Sequence, residues 1–193
     1  MSAQLRKELA QALNKDQYDM TGQGLYFPRQ GIMAMGQYFD RINGGEWQET
    51  PNLVVTEGLA HILNVALGSK VKSSGYYLAL FSGATAPAAN WTAANFASVA
   101  SEVISLTEGY SGATRPQWNP VDTATNSIDN MTATASVTIA TSSTLNVTGA
   151  ALLTNSTRGG TTGTLISATK YAAARTFQNG DVYDIGYRLS LTV

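Results

Sequence analysis

From Asp181 to the C-terminus, apolar and polar residues alternate at almost every step. Tyr183, Ile185, Tyr187, Leu189, Leu191 and Val193 share one phase. Asp184, Gly186, Arg188, Ser190 and Thr192 share the other, and Val182 breaks the pattern at its start. Side chains on a strand switch faces at each residue. The pattern therefore predicts a half-buried β-strand with a dry and a wet face, its end tied into a sheet. The same period recurs upstream, where Ala133, Ala135, Val137 and Ile139 oppose Thr132, Thr134, Ser136 and Thr138. Residues 144–153 continue with Leu145, Val147, Ala151 and Leu153. The predicted inward set is Val137, Ile139, Leu145, Val147, Leu153, Ile185, Tyr187, Leu189 and Leu191. Residues 76–81 are apolar on both faces, which predicts a central strand. Segments 102–106 and 164–170 read as further strands. Thr fills 12 of the 39 positions from Met131 to Thr169, as suits the wet face of a sheet. Roughly six to eight short strands predict a mainly β fold, a jelly-roll-like β-sandwich.

Helical periodicity is confined to short stretches. Thr56 to Leu67 has Thr56 as candidate N-cap, Glu57 in the first turn and Gly68 after the end. Its predicted buried face is Leu59, Ile62, Leu63, Ala66 and Leu67. Residues 92–100 predict a second helix, capped by Thr92 with Phe96 and Val99 inward. Residues 2–13 read as a short amphipathic helix with Leu5, Leu9, Ala12 and Leu13 in one stripe. Such a helix is marginal alone, so it either packs on its own domain or docks on a neighbour. Residues 19–50 carry six glycines among Leu25, Tyr26, Phe27, Ile32, Met33, Met35, Tyr38, Phe39, Ile42 and Trp47. That stretch is too apolar for a disordered tail and too rich in glycine for a helix. An extended arm laid on another surface satisfies both facts, and an arm wrapped on its own core is the alternative. The expected organisation is an N-terminal arm, extended and helical, over 1–51 and a sandwich over 52–193. Partner contacts are expected at Leu5, Leu9, Leu25, Tyr26, Phe27, Met33, Met35, Tyr38, Phe39 and Trp47.

Composition narrows the function. The 12 basic and 13 acidic side chains leave a net charge of −1, which argues against a nucleic-acid partner. Charged residues make up 13% of the chain, about half the usual ~25%, so Ser, Thr, Asn, Gly and Ala must face solvent or neighbours. Charge is denser in residues 1–75, which hold 7 of the 12 basic and 7 of the 13 acidic groups. The absence of cysteine removes disulfides and thiolate metal sites. No apolar run reaches the roughly 20 residues of a membrane span, and no secretory signal is expected at the N-terminus.

Few residues suggest reaction chemistry. His61 is the sole histidine and reads as a satisfied boundary residue rather than a base or ligand. No Gly-x-Ser-x-Gly turn marks a nucleophile. Asp181 and Asp184 face opposite sides of a strand, which does not suit a carboxylate pair. The 159–163 turn lacks the lysine of a phosphate loop, and the acidic spacing of a calcium loop is missing. The expectation is a protein that is not an enzyme and takes no cofactor and no metal. Arg115, beside Pro116 in a nearly uncharged region, reads as a solvated loop residue, a clamp on the 110–118 loop, or a partner contact.

Several segments together resemble a family of tailed-bacteriophage virion proteins, the capsid decoration or cement proteins. They are the helix and its approach, Asn52 to Leu67, and the strand Tyr76 to Phe81. They also include Tyr110-Ser111-Gly112-Ala113-Thr114-Arg115-Pro116, the strand Gly149 to Thr154, and Phe177-Gln178-Asn179-Gly180-Asp181 before the terminal strand. The resemblance covers residues 52–193. It implies a jelly-roll-like domain on the outer face of a phage head, bridging copies of the major capsid protein. It also implies a homo-oligomer (dimer or trimer), virion localisation after synthesis in the host cytoplasm, and no membrane partner. Residues 1–51 extend beyond the shorter members of that family. A tail, neck or fibre component is the alternative within virions. A carbohydrate-binding or hydrolytic sandwich is the alternative of another class, and would show exposed Trp and Tyr in a groove beside two acids.

Overall fold

The computed structural model describes residues 18–20, 26–28 and 32–192. They belong to two compact units, one running to Met33 and one spanning Ala34–Thr192. In the first, β1 (Tyr18–Met20) pairs antiparallel with β2 (Tyr26–Pro28), Tyr18 opposite Pro28.

The second unit is mainly β, as the alternation predicts, and its strands form two sheets. One has the order β4 (Gln48–Pro51), β3 (Met33–Ile42), β13 (Val182–Thr192), β10 (Ala135–Ala140), β7 (Gly109–Tyr110), with β9 (Ser127–Asp129) also on β13. The other has the order β5 (Leu53–Val54), β12 (Leu165–Phe177), β11 (Leu145–Leu153), β6 (Tyr76–Phe81), β8 (Gln117–Trp118). Two helices complete it, α1 (Thr56–Ala66) and α2 (Ala93–Ala100).

Tyr38, Val137, Ile139, Tyr183, Ile185 and Tyr187 from the first sheet meet Leu78, Leu80, Val147, Ala150, Leu152, Ile166 and Phe177 from the second. Burying a tyrosine favours a partner for its hydroxyl, though Tyr110 Oη is buried without one. Tyr38 Oη lies 2.9 Å from Ser167 Oγ, and Tyr183 Oη donates to Tyr171 Oη at 2.8 Å. Asp40, fully buried on β3, accepts two bonds from Arg175 at 2.7 and 3.1 Å. The second sheet is covered on its other face as well. There Ala79, Phe81, Ala151, Leu153 and Leu165 pack with Val55, Trp91, Ala93, Phe96 and Ala100. This explains why β6 is apolar on both faces.

Two parity expectations need correction. Leu153 is buried, but on the helix-covered face rather than with Val147. The pairing with β12 slips between Val147 and Gly149, from Arg175 to Lys170, and a bulge of this kind exchanges odd and even faces. Leu191 is 41% exposed, because β13 runs past the inter-sheet core at its end. Leu145 and Leu189 are half-buried and pack against the core. The predicted 102–106 strand is reduced to one bridge, Glu102 opposite Phe81.

The expected boundary between residues 51 and 52 also moves. β3 and β4 belong to the first sheet, so 34–51 is part of the sandwich. The sequence hid this because Tyr38, Phe39 and Asp40 are buried in succession, which breaks the period of 2. Gly36 adds to the disguise. A Cβ there would overlap the ends of the Asn52 and Tyr187 side chains, which would have to shift to admit it.

Gly58 seats α1. A Cβ at this position would overlap the carbonyl of Ile166 on β12, and backbone cannot yield as a side chain can. Gly58→Ala is expected to cost about 1–3 kcal/mol by overpacking, despite alanine's better helix propensity. Urea unfolding measures it, and a neutral or stabilising result would mean that α1 is not held this close to the sheet.

Candidate functional site

The predicted contact residues have different fates. The first 17 residues, with Leu5 and Leu9, and Leu25 lie outside the described residues, while Tyr26 and Phe27 fall in β2. Met33 and Met35 are exposed at the start of β3, by 55% and 52%. Tyr38 and Phe39 are core residues, at 0% and 5% exposure, and have no free face to offer a partner. Trp47 is half-buried with the Arg41 guanidinium 4.5 Å above its ring.

Of the three readings open for Arg115, its burial excludes the solvated residue and the partner contact and leaves the clamp. It is 1% exposed, and its Nε and Nη2 each donate to Glu102 at 2.7 Å. Nη1 donates to the Asn155 carbonyl at 2.8 Å, and the Gly159 amide donates to Glu102 at 3.0 Å. Arg158 stands beside it, 3.8 Å over the Tyr110 ring. It donates to the carbonyls of Tyr110, Gly112, Val103 and Ser105. The two guanidiniums thus tie three loops, around 102–105, 110–116 and 155–160, into one end of the sandwich. Planar forks satisfying several acceptors at once suit arginine and not lysine.

The helix preceding β6 supplies one exposed apolar feature of this unit. Most of its predicted buried face is turned outward, and of that face only Ile62 is half-buried. Gly58 and His61 are the buried positions of α1, while Leu59, Leu63 and Leu67 are 41%, 59% and 85% exposed. Val71, 86% exposed, lies in the segment beyond the helix. Thr56 is the first helical residue rather than the cap, which is Val55. Glu57 fixes the rotation by accepting the amides of Ala93 at 2.8 Å and Leu165 at 2.7 Å. Apolar periodicity reports a stripe but not whether the domain itself covers it. The sequence signal for the true inward side was the small Gly58, which allows the backbone to approach. α2 behaves as expected: Phe96 is buried, and the Asn95 side chain accepts the Thr92 amide at 2.9 Å.

His61 Nε2 lies 3.0 Å from Tyr76 Oη, and Nδ1 is buried without a partner. Burial, then the charge of Lys70, hold its pKa below the ordinary 6.5, with Glu57 opposing. The unfolded chain therefore takes up this proton first as pH falls. The stability His61 contributes is complete above 6.5 and is lost as pH falls from there towards the lower folded pKa. Glu108, held low by bonds from Ser142 and Thr141, and Asp181, held low by Asn43, act in the separate acidic window. Melting curves at about pH 7.5 and about pH 5.5 are expected to show a smaller loss for His61→Phe than for the wild type. Equal losses would mean that His61 is not the titrating group.

No group of three or more His, Cys, Asp or Glu residues that could hold a metal ion occurs among the described residues. Trp91 and Trp118 are 4% and 6% exposed and do not form an open aromatic groove. No described helix is long and apolar enough to cross a membrane. Neither a protein-family model nor a curated protein sequence matches the chain.

Proposed function

We propose that this chain is a structural virion protein, a capsid decoration protein that sits on the outer face of a phage head and bridges copies of the major capsid protein. The observation that carries this reading is the row Leu59 and Leu63 on α1 with Leu67 at its C-cap, exposed on an element pinned to the sandwich through Glu57. Contiguous exposed apolar groups mark surfaces that neighbours cover. The low charge of the chain suits broad contact with a shell, and the resemblance of residues 52–193 to decoration proteins names that shell. Function then needs no reaction. A protein that binds the assembled lattice better than free subunits stabilises the lattice by mass action. Self-association into a dimer or trimer is part of the proposal.

Sedimentation with purified shells of the cognate capsid protein tests it. The expected result is saturable retention on assembled shells and weak binding to dissociated subunits. Failure to bind shells, or equal binding to both forms, would contradict the proposal.

A further inference from the structure

α1 is seated on the sheet at its start, where Gly58 meets the Ile166 carbonyl. Beneath its second half a cavity of about 390 Å³ remains. Leu152 and Ile166 face it from one sheet, Ile128 and Leu189 from the other, and Ile62 and Val65 from the helix. Leu152 and Ile166 are buried, whereas the other four are half-buried, so an aliphatic rim is left partly open. Polar wall atoms are already engaged. Tyr76 Oη lies 3.0 Å from His61 Nε2, and Trp118 Nε1 donates to the Tyr187 carbonyl at 2.9 Å. The charges around the cavity balance. Lys70 and Glu57 act on His61 with opposite sign, and Lys72 and Asp122 both line the walls. A charged occupant would gain no net counter-charge here, and a polar one would give up water without a waiting partner. An uncharged aliphatic group meets neither cost, and its burial is favourable.

The mouth adjoins the exposed row of α1. Ala66 lines the cavity and is itself exposed, which places it at the opening. Residues three and four apart on a helix are neighbours, so Ile62 lies beside Leu59, and Ala66 beside both Ile62 and Leu63. An apolar surface thus runs from Leu59, Leu63 and Leu67 around the helix into the cavity, with no charged residue on its course. A partner seated on the leucine row borders directly on the opening. We propose that the cavity is a socket for an uncharged aliphatic side chain of the major capsid protein, inserted when the shell docks on α1. This assignment rests on the reading of α1 as the shell-docking element. It adds which kind of group the shell presents and where that group is held.

Sedimentation of the intact protein with assembled shells, beside melting curves, tests the socket. Val65→Phe fills the cavity from α1. Ser74→Phe fills it from an exposed position if Val65→Phe does not fold. Either folded variant is expected to bind shells at least about ten-fold more weakly than the wild type, as loss of one buried anchor would produce. Equal binding by the wild type and a folded, filled variant would overturn the socket and leave shell docking on α1 standing. Filled variants that keep shell binding but lose self-association would assign the cavity to a second copy of the chain, and so overturn it as well. A wild type that does not bind shells would overturn the socket together with the shell-docking reading.

Discussion

Arg115→Ala is expected to lower stability by about 3–5 kcal/mol, since removing one partner leaves a buried charge uncompensated. For a domain of this size that corresponds to roughly 2–4 °C of melting temperature per kcal/mol. The geometry leaves Glu102 little recourse. Glu102 is 8% exposed, and its remaining partner is the Gly159 amide. The Asn155 carbonyl would also lose its donor. Arg115→Lys is expected to recover only part of the loss, because an ammonium cannot reproduce two parallel bonds to one carboxylate. The paired change Arg115→Met with Glu102→Met should recover more, since apolar replacement of both members removes the desolvation cost of each. Guanidinium unfolding of the four proteins measures these differences. A loss below about 1 kcal/mol for Arg115→Ala, the usual worth of a surface pair, would show that the ion pair is solvated.

The second large effect is expected on binding rather than on folding. Leu63→Asp and Leu67→Asp place charges on side chains that are 59% and 85% exposed, so neither removes core packing. Surface changes of that kind usually stay within about 0.5 kcal/mol of wild type. Buried at an interface, however, an apolar anchor is worth about 2 kcal/mol or more. The double variant is therefore expected to melt like the wild type and to bind capsid shells at least roughly a hundred-fold more weakly. Unaltered shell binding would exclude this face of α1 as the docking surface.

The parts of this structure that a period alone determines were legible in the sequence. β10 and the first half of β13 show Val137, Ile139, Ile185 and Tyr187 buried as the alternation requires. β6 is central, as its doubly apolar pattern implies. Long-range features were not legible. The slip between β11 and β12 moves Leu153 to the opposite face, and it depends on Tyr171 and the residues after it, in a strand remote in sequence. β3 resembles an arm in sequence because glycines are scattered among its large apolar residues, and its buried Asp40 gains a partner only when Arg175 arrives from β12. The rotation of α1 is not legible because an apolar stripe does not tell which molecule covers it. Arg115 illustrates the converse. Its neutral surroundings pointed to a defined partner, but Glu102 could be identified only once the fold brought the two loops together.

Quantitative mass spectrometry of purified virions, with heads and tails separated, tests the central claim most directly. A decoration protein is expected in the head fraction in a fixed proportion to the major capsid protein. Its absence from virions, or its presence in the tail fraction at only a few copies, would contradict the account.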